Sequence, residues 1–200
     1  MKFGRRRLAA FSFPALALPA VVLPGLVGAC GASPDPVLYT IAVRPGPALP
    51  GGPRVVQLRD IGLASYLDRK EIVRSSEDYK LGVMANTWWG ESLGSMLGRV
   101  LVVELSQRLP NSKVYSESGA ITADPNAVVG VNIQRLDTDK AGALVLLAQV
   151  AVEFNRPKRS AARNFAISKT PPTADVAGQV AATSDAVAEL ADGIAALLQP

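Results

Sequence analysis

The first 30 residues constrain the fold of this 200-residue chain most, because they do not resemble part of a packed domain. A basic start is followed by an apolar stretch over residues 8–26 and by small residues that end at Cys30. This order is typical of a secretory signal peptide. A membrane anchor is the alternative, but Pro14, Pro19 and Pro24 interrupt the stretch and favour a signal peptide over residues 1–29.

Residues 26–30, Leu-Val-Gly-Ala-Cys, resemble a bacterial lipobox. In signals of that kind the cysteine thiol is acylated, cleavage falls just before it, and the new amino terminus is acylated as well. Several acyl chains, at about 0.8 kcal/mol per buried CH₂, hold a protein durably in a membrane. Cys30 is the only cysteine, and Gly31 after it resembles the sorting signal for the outer membrane. The alternative is a soluble periplasmic protein with an incidental cysteine.

The chain after this signal has the length and composition of one folded domain. Residues 30–36 are predicted to form a lipidated tether, because they are polar and rich in proline. The domain is predicted over residues 37–200, since a chain with 48% hydrophobic residues can bury a core.

The charge and the missing residue types exclude several classes of function. Four of the 21 basic residues precede the apolar stretch, which leaves 17 basic and 17 acidic residues and no overall attraction to nucleic acid. The chain has no histidine and a single cysteine. Ser-His-Asp and Cys-His catalysis, His-ligated metal sites and intramolecular disulfides are therefore excluded.

The first half of the domain is predicted to form short strands and one helix. Residues 44–53 carry so many prolines and glycines that they form a loop. Apolar residues at helical spacing predict an amphipathic helix over about 88–109, ended by Pro110. The predicted strands are 37–43, 54–61, 71–74, 79–83 and 113–116.

The second half alternates between apolar and polar residues. This period predicts strands over 129–134 and 144–154, joined into a hairpin by a turn at 137–142, and a third strand over 163–168. A closing amphipathic helix carries Val176, Val180, Val187, Leu190, Ile194 and Leu197. The order predicts an α+β fold, with a mostly antiparallel sheet and two amphipathic helices packed on one face.

Three segments carry a family resemblance. The first is the lipobox with Tyr-Thr-Ile at 39–41, and the second is Ile-Gly-Leu-Ala-Ser-Tyr-Leu-Asp-Arg at 61–69, leading into Glu-Ile-Val-Arg at 71–74. The third is Trp-Trp-Gly-Glu-Ser-Leu at 88–93. Together they resemble the PqiC-like family of auxiliary lipoproteins, the lipoprotein component of ABC-type or MCE-type transport systems.

The resemblance implies a non-catalytic role in lipid traffic between the inner and outer membranes. The lipoprotein would dock an MCE-domain protein to the outer membrane from the periplasmic side, beside permease and ATPase subunits on other chains. It also implies self-association into a homo-oligomeric ring. No cofactor is expected beyond the covalent lipid on Cys30, and neither a metal nor nucleic acid is expected.

Four residues are candidates for binding a partner. Asp68 and Arg69 could form such a site, or they could form an exposed salt bridge worth roughly 0–1 kcal/mol. Trp88 and Trp89 are adjacent on the predicted helix and point in different directions. One of them is expected in the core, and the other could be an exposed anchor.

A dense basic run could touch anionic lipid headgroups or an acidic partner, or it could be a solvated hairpin turn. The run comprises Arg156, Lys158, Arg159 and Arg163.

Two other functions stay open at this point. A periplasmic lipid-binding carrier would enclose an acyl chain between sheet and helices. A structural or regulatory envelope lipoprotein would bind peptidoglycan or a synthase. An enzyme would have to use Asp, Glu, Lys or Ser alone.

Overall fold

The computed structural model describes residues 35–121 and 123–200, so Cys30 and the predicted signal peptide lie outside the described residues. In the described residues the chain forms two helices, α1 (Leu93–Arg108) and α2 (Val176–Leu197), and nine strands. The strands are β1 (Val37–Tyr39), β2 (Val55–Leu58), β3 (Gly62–Leu63), β4 (Glu71–Ser75), β5 (Gly82–Trp89), β6 (Lys113–Ser116), β7 (Ala127–Thr138), β8 (Leu144–Asn155) and β9 (Lys158–Lys169).

Strand β7 organises the sheet, and one of its edges is paired along its length. On that edge β8 lies antiparallel to β7, from Ala127 opposite Phe154 to Thr138 opposite Leu144. β9 continues this side as the antiparallel neighbour of β8. Each of the three strands has 12 residues, so this half of the sheet is a meander of long strands.

The other edge of β7 is shared by three short parallel strands in chain order. β2 pairs with its beginning, β3 with its middle and β4 with its last residue, Thr138. β6 lies parallel to β2, while β5 lies antiparallel to β4 and parallel to β1. Because the antiparallel pairings are the longest, the sheet is mostly antiparallel, although its short strands pair mainly in parallel.

The core lies against alternate residues of the long strands. Val129, Val131 and Ile133 of β7 are buried, as are Leu146 and Val150 of β8. Burying such an aliphatic side chain fully contributes about 1.5–3 kcal/mol, so this alternating face is a major source of stability. The helices add further buried residues to the same cluster, including Met96, Leu97, Leu101, Leu105, Val187, Leu190 and Ile194.

Each helix begins at a side chain that satisfies its free N–H groups. Ser92 accepts from the N–H of Ser95 at the start of α1, and Asp175 accepts from the N–H of Gly178 at the start of α2. The helices contact each other, α2 also contacts β8 and β9, and α1 contacts β6. Packing of both helices on one face of the sheet stays a prediction. Within residues 35–121 and 123–200, no helix is long and apolar enough to cross a membrane.

A buried arginine holds the loop of residues 44–53 against the helices. The guanidinium of Arg108 is 1% exposed and donates to Asp192 at 2.5 Å. It also donates to the backbone carbonyls of Arg44 and Ala188. A Cβ at Gly46 would lie 2.3 Å from this guanidinium, so only glycine allows the loop to close over it.

Glu104 lies beside this arginine and is fully buried. Its Oε1 accepts the N–H of Arg44 at 2.8 Å, while its Oε2 has no hydrogen-bond partner among the described residues. Burial raises the pKa of this carboxyl, against the lowering effects of the Arg44 N–H and of the positive charge of Arg108. The neutral form is therefore favoured relative to an exposed glutamate.

The helix predicted over about 88–109 begins later than expected. Trp88 and Trp89 belong to β5, where they lie opposite Leu38 and Tyr39 of β1. Bulky aromatic residues suit a strand, and pairing here satisfies their backbone groups. The helix then begins after Ser92, the first residue able to cap it. The prediction that the two tryptophans lie on a helix is therefore wrong.

The turn predicted over residues 137–142 also begins later. Asp137 and Thr138 are the last residues of β7, and both are buried. The turn starts at Asp139, whose carboxylate accepts from the N–H groups of Ala141 and Ala143. Asp137 stays in the strand because basic and hydroxyl side chains surround its carboxylate.

Candidate functional site

A turn after β3 places Asp68 and Arg69 at the surface. The turn is fixed from inside, because Ala64 donates its N–H to the carbonyl of Ile133 and Leu67 is 2% exposed. In the described part of the chain, no ion pair joins Asp68 to Arg69. Both side chains are therefore presented on a rigid support.

Tyr66 anchors the same turn through a buried carboxylate. Its hydroxyl donates to Asp137 Oδ2 at 2.9 Å, and Ser76 donates to the same oxygen at 2.8 Å. Arg135 donates to Asp137 Oδ1 at 2.9 Å and to Glu77 at 2.7 Å. Burial, reinforced by the hydrogen bond to Asp137, raises the pKa of Tyr66 to about 12. The network ties the turn to β7 and to the β4–β5 connection.

Trp88 and Trp89 lie at the end of β5, next to this turn. The ammonium of Lys70 lies 3.8 Å from the centre of the Trp88 ring, a cation–π contact. The carbonyl of Lys70 accepts the N–H of Trp89 at 2.8 Å. Trp89 is buried in the core, whereas Trp88 is half-buried under Lys70. Trp88 is thus the more accessible of the two indoles.

An open groove of about 670 Å³ runs along α1, between this helix, the segment of residues 59–63 and the end of β6. Its apolar lining comprises Ile61, Leu63, Val102 and Val103, and its charged lining comprises Arg59, Asp60, Asp68 and Arg99.

Two glycines one helical turn apart lie where α1 faces the segment before β3. A Cβ at Gly94 would lie 3.5 Å from the carbonyl oxygen of Ile61, and one at Gly98 would lie 3.7 Å from its Cγ1. These are ordinary contacts, so alanine would fit while a longer side chain would fill the groove. The Gly-x-x-x-Gly spacing is the sequence signal that could have indicated this groove. Of the residues that line it, only Asp68 was a candidate from the sequence.

A shallow cleft of about 400 Å³ adjoins the groove and is lined by Asp68, Arg69, Lys70, Trp89, Glu91 and Ser92. Asp68 and Ser92 line both depressions, so the two form one surface, which we call the α1 surface. The structure therefore brings Asp68, Arg69 and Trp89 together in one cleft, with Trp88 beside them under Lys70.

Several charges of the α1 surface are held in exposed ion pairs. Arg99 pairs with Glu91 at 2.6 Å, and Arg59 pairs with Glu153 at 3.5 Å. Each pair is about half exposed and contributes roughly 0–1 kcal/mol, so a charged partner can replace it at little cost. Apolar lining surrounded by exchangeable charges suits a polypeptide segment of another protein.

The basic run near the β8–β9 turn lies elsewhere. Arg159 stacks on Phe154, 3.6 Å from the ring centre, and Arg163 lies 5.0 Å from the centre of Phe165. Lys158 is exposed at the start of β9, and Arg156 is exposed in the turn. Two of the four basic groups thus cover aromatic rings of the sheet.

The predictions about ligands have different outcomes. Cys30 lies outside the described residues, so its acylation stays a prediction. Across the described ranges, no three His, Cys, Asp or Glu side chains gather as metal ligands would.

These features define the class of protein: a mixed α/β domain that presents a fixed, open surface beside a helix. The family is given by a sequence match. The model of the family described as the ABC-type transport auxiliary lipoprotein component matches residues 39–195, most of the chain. The chain therefore belongs to this family, and the resemblance to PqiC-like proteins is confirmed. No curated protein matches the chain.

Solved structures share the fold. A protein described only as uncharacterized has a TM-score of 0.69 at 18% identity, over 82% of this chain and 98% of its own. A protein of Xanthomonas campestris has a TM-score of 0.65 at 16% identity, over 80% of this chain and 92% of its own. At these identities the likeness shows the fold alone.

Proposed function

We propose that the chain is a non-catalytic docking subunit of an MCE-type intermembrane lipid transport system. In this proposal acylated Cys30 anchors it to the outer membrane, and the domain faces the periplasm. Membership of a family of ABC-type transport auxiliary lipoproteins supports a role beside a transporter. An MCE-domain protein would be the docked partner, with permease and ATPase subunits on further chains and a ring of copies of this chain around the partner.

The observation that carries the docking role is the α1 surface. Its turn of residues 64–70 is held by Leu67 in the core and by the Tyr66 hydrogen bond to buried Asp137. Such support keeps Asp68 and Arg69 in place before a partner arrives, so little conformational entropy is lost on binding.

The lining of the groove indicates how a partner would bind. Apolar side chains of a partner segment would contact Ile61, Leu63 and Val102, while its charges would replace Glu91 at Arg99. The apolar contacts supply affinity, and the charges select the orientation of the segment.

The test is a pull-down of the tagged full-length chain from gently crosslinked membranes, read by mass spectrometry. We expect an MCE-domain protein with the wild type. Cys30→Ala should be lost from the outer-membrane fraction. A charge reversal in the groove, Asp68→Lys with Arg99→Glu, should lose the partner while staying in that fraction.

The matched control is Lys158→Glu, which reverses an exposed charge at the β8–β9 turn, outside the α1 surface. It should retain the partner. Recovery of peptidoglycan synthases alone, or of lipid without a protein partner, would contradict the docking proposal.

A further inference from the structure

The exposed apolar residues of the domain are concentrated at one edge of the sheet. Seven large hydrophobic side chains are exposed in the described residues, and five of them lie on β1, on β5 or just before β5. Tyr79, Leu81 and Val83 lie between the β4–β5 turn and the start of β5, whereas Val37 and Leu38 lie on β1 beside the Trp88 end of β5. We call residues 79–83, which lead from the β4–β5 turn into β5, the apolar tip.

The β4–β5 turn displays a tyrosine where small residues are usual. The N–H of Lys80 donates to the carbonyl of Glu77, so Asp78 and Tyr79 are the central residues of the turn. Their φ angles are 54° and 61°, in the left-handed region that favours glycine or asparagine. Tyr79 is nevertheless fully exposed. The fold thus keeps a large amphipathic side chain, with some backbone strain, at a position where the described residues leave it fully exposed.

Acidic groups around the tip are neutralised. Glu77 pairs with Arg135 at 2.7 Å, and Asp78 pairs with Lys140 at 2.5 Å. Lys80 is exposed and has no ion-pair partner in the described part of the chain. The tip therefore offers an aromatic, a cationic and an aliphatic side chain in succession, directly after two carboxylates that are both paired.

The direction of β1 places its first residue on the side of this tip. β1 is parallel to β5, with Val37 opposite Thr87 and Tyr39 opposite Trp89. Val37, the first residue of β1, therefore lies at the end of β1 that is nearer to Gly82 and the tip. Cys30 precedes Val37 by seven residues, which reach at most about 25 Å. Antiparallel β4, with five residues, spans only about 13 Å between the Trp88 end and the tip end.

We infer that the apolar tip is a membrane-contact surface, which rests on the headgroup region of the same bilayer that holds acylated Cys30. This inference rests on the proposed lipid anchor. Tyr79 and Leu81 would lie at the boundary between headgroups and acyl chains, as amphipathic and apolar side chains do, and Lys80 would reach the phosphates. The Trp88 end of β5, with the α1 surface, would then point away from the membrane.

The membrane fits this surface better than a second copy of the chain. The tip is a narrow turn rather than a broad face, whereas a stable protein interface needs about 800 Å² per partner. A bilayer needs no complementary shape, and an acylated Cys30 only seven residues before Val37 would hold the whole domain at the membrane surface.

The test uses the full-length acylated protein in vesicles of phosphatidylethanolamine and phosphatidylglycerol. An environment-sensitive fluorophore is attached at Tyr79→Cys, or at Ser160→Cys as the matched control. Ser160 is exposed on β9 near the β8–β9 turn, at the far end of the long strands from the β7–β8 turn. Mass spectrometry checks that Cys30 carries lipid and not the fluorophore.

We expect a blue shift of the fluorophore at position 79, and loss of its emission when the vesicles contain nitroxide-labelled lipid. The fluorophore at position 160 should show neither effect. Water-like emission at both positions in protein that floats with the vesicles would overturn this inference alone.

A blue shift at position 79 that depends on protein concentration, without quenching by labelled lipid, would assign the tip to a second copy and overturn the membrane contact. Failure of the protein to float with the vesicles would overturn the lipid anchor and this inference together. The two failures are therefore distinguishable in one experiment.

Discussion

Along one edge of β7, β8 pairs with it nearly residue by residue, whereas along the other edge β2, β3 and β4 pair with it in three short pieces. The long edge is stabilised by repeated backbone hydrogen bonds and by alternating buried side chains. The interrupted edge has few repeated backbone hydrogen bonds and short runs of alternating buried side chains. Along it, one buried polar group, Asp137, holds the turn of residues 64–70, and Arg108 holds the loop of residues 44–53 that precedes β2.

The exposed candidate residues of this fold lie along the interrupted edge of β7. Arg59, Asp60, Asp68 and Arg69 all lie where the chain leaves the interrupted edge of β7. The long strands β7, β8 and β9 supply a rigid support, and the segments along the interrupted edge supply the exposed surface. This division is common where a scaffold positions loops. Four substitutions test whether the two edges of β7 differ in this way.

Arg108→Met should have the largest effect, because it leaves the backbone carbonyls of Arg44 in the loop, Glu104 in α1 and Ala188 in α2 without their buried donor. We expect a loss of about 3 kcal/mol in the free energy of unfolding, measured by urea denaturation. Arg99→Met, on the exposed side of the same helix, is the control and should cost less than about 1 kcal/mol. Equal losses in the two variants would show that the buried arginine does not hold the loop.

Asp137→Ala should follow, because Tyr66, Ser76 and Arg135 lose a shared acceptor. A loss of about 2 kcal/mol is expected. Amide hydrogen exchange should accelerate over residues 64–78 and stay slow in β8 and β9. Uniform acceleration across the whole sheet would contradict the separation between the two edges.

Tyr66→Phe removes only the hydroxyl and should cost about 1 kcal/mol. The pKa of Tyr66 is raised from 10.0 to about 12, so its stabilising contribution is present below pH 10 and is lost as the pH rises toward 12. Ultraviolet titration of tyrosinate should show one group ionising near pH 12 that the variant lacks. If the ionisation that the variant lacks instead occurs near pH 10, the hydrogen bond to Asp137 is contradicted.

Glu104→Gln should have the smallest effect and should change the pH dependence. The raised native pKa of Glu104 means that its contribution is present at acidic pH and is lost as the pH rises through that pKa. Arg44, Arg108 and Asp192 act on this group as well. The stability of the variant relative to wild type should therefore increase as the pH rises above 4.5, the ordinary pKa of glutamate, in thermal unfolding. A constant difference would contradict the raised pKa.

The long strands and α2 could be predicted from the sequence better than the short strands and the segments between them. Alternation at Val129, Val131 and Ile133 indicated β7, and the spacing of apolar residues indicated α2, because long elements repeat their signal many times. Trp88 and Trp89 were placed on a helix, since nothing local distinguishes an apolar helix start from the end of a strand. Their pairing with Leu38 and Tyr39 is a contact across 50 residues.

The candidate site was predictable only in part for the same reason. The Asp68 and Arg69 pair stood out through the family resemblance, but Asp137 was taken for a turn residue. Its role depends on Tyr66, 71 residues away, and on Ser76. Buried polar partners are selected by tertiary contacts, which a single sequence does not display.

The interrupted edge of β7 has a consequence for how such a surface can diverge. From β2 to the end of β4 the chain makes one parallel pass along β7, and it leaves that edge at residues 59–61 and 64–74. Insertions at residues 59–61 or 64–70 would lengthen the exposed surface without shifting the register of any β7 pair, and loop closure becomes only slightly more costly as a loop grows. Related proteins can thus gain a new binding surface by changing the length of these two segments, while the sheet around β7 stays the same.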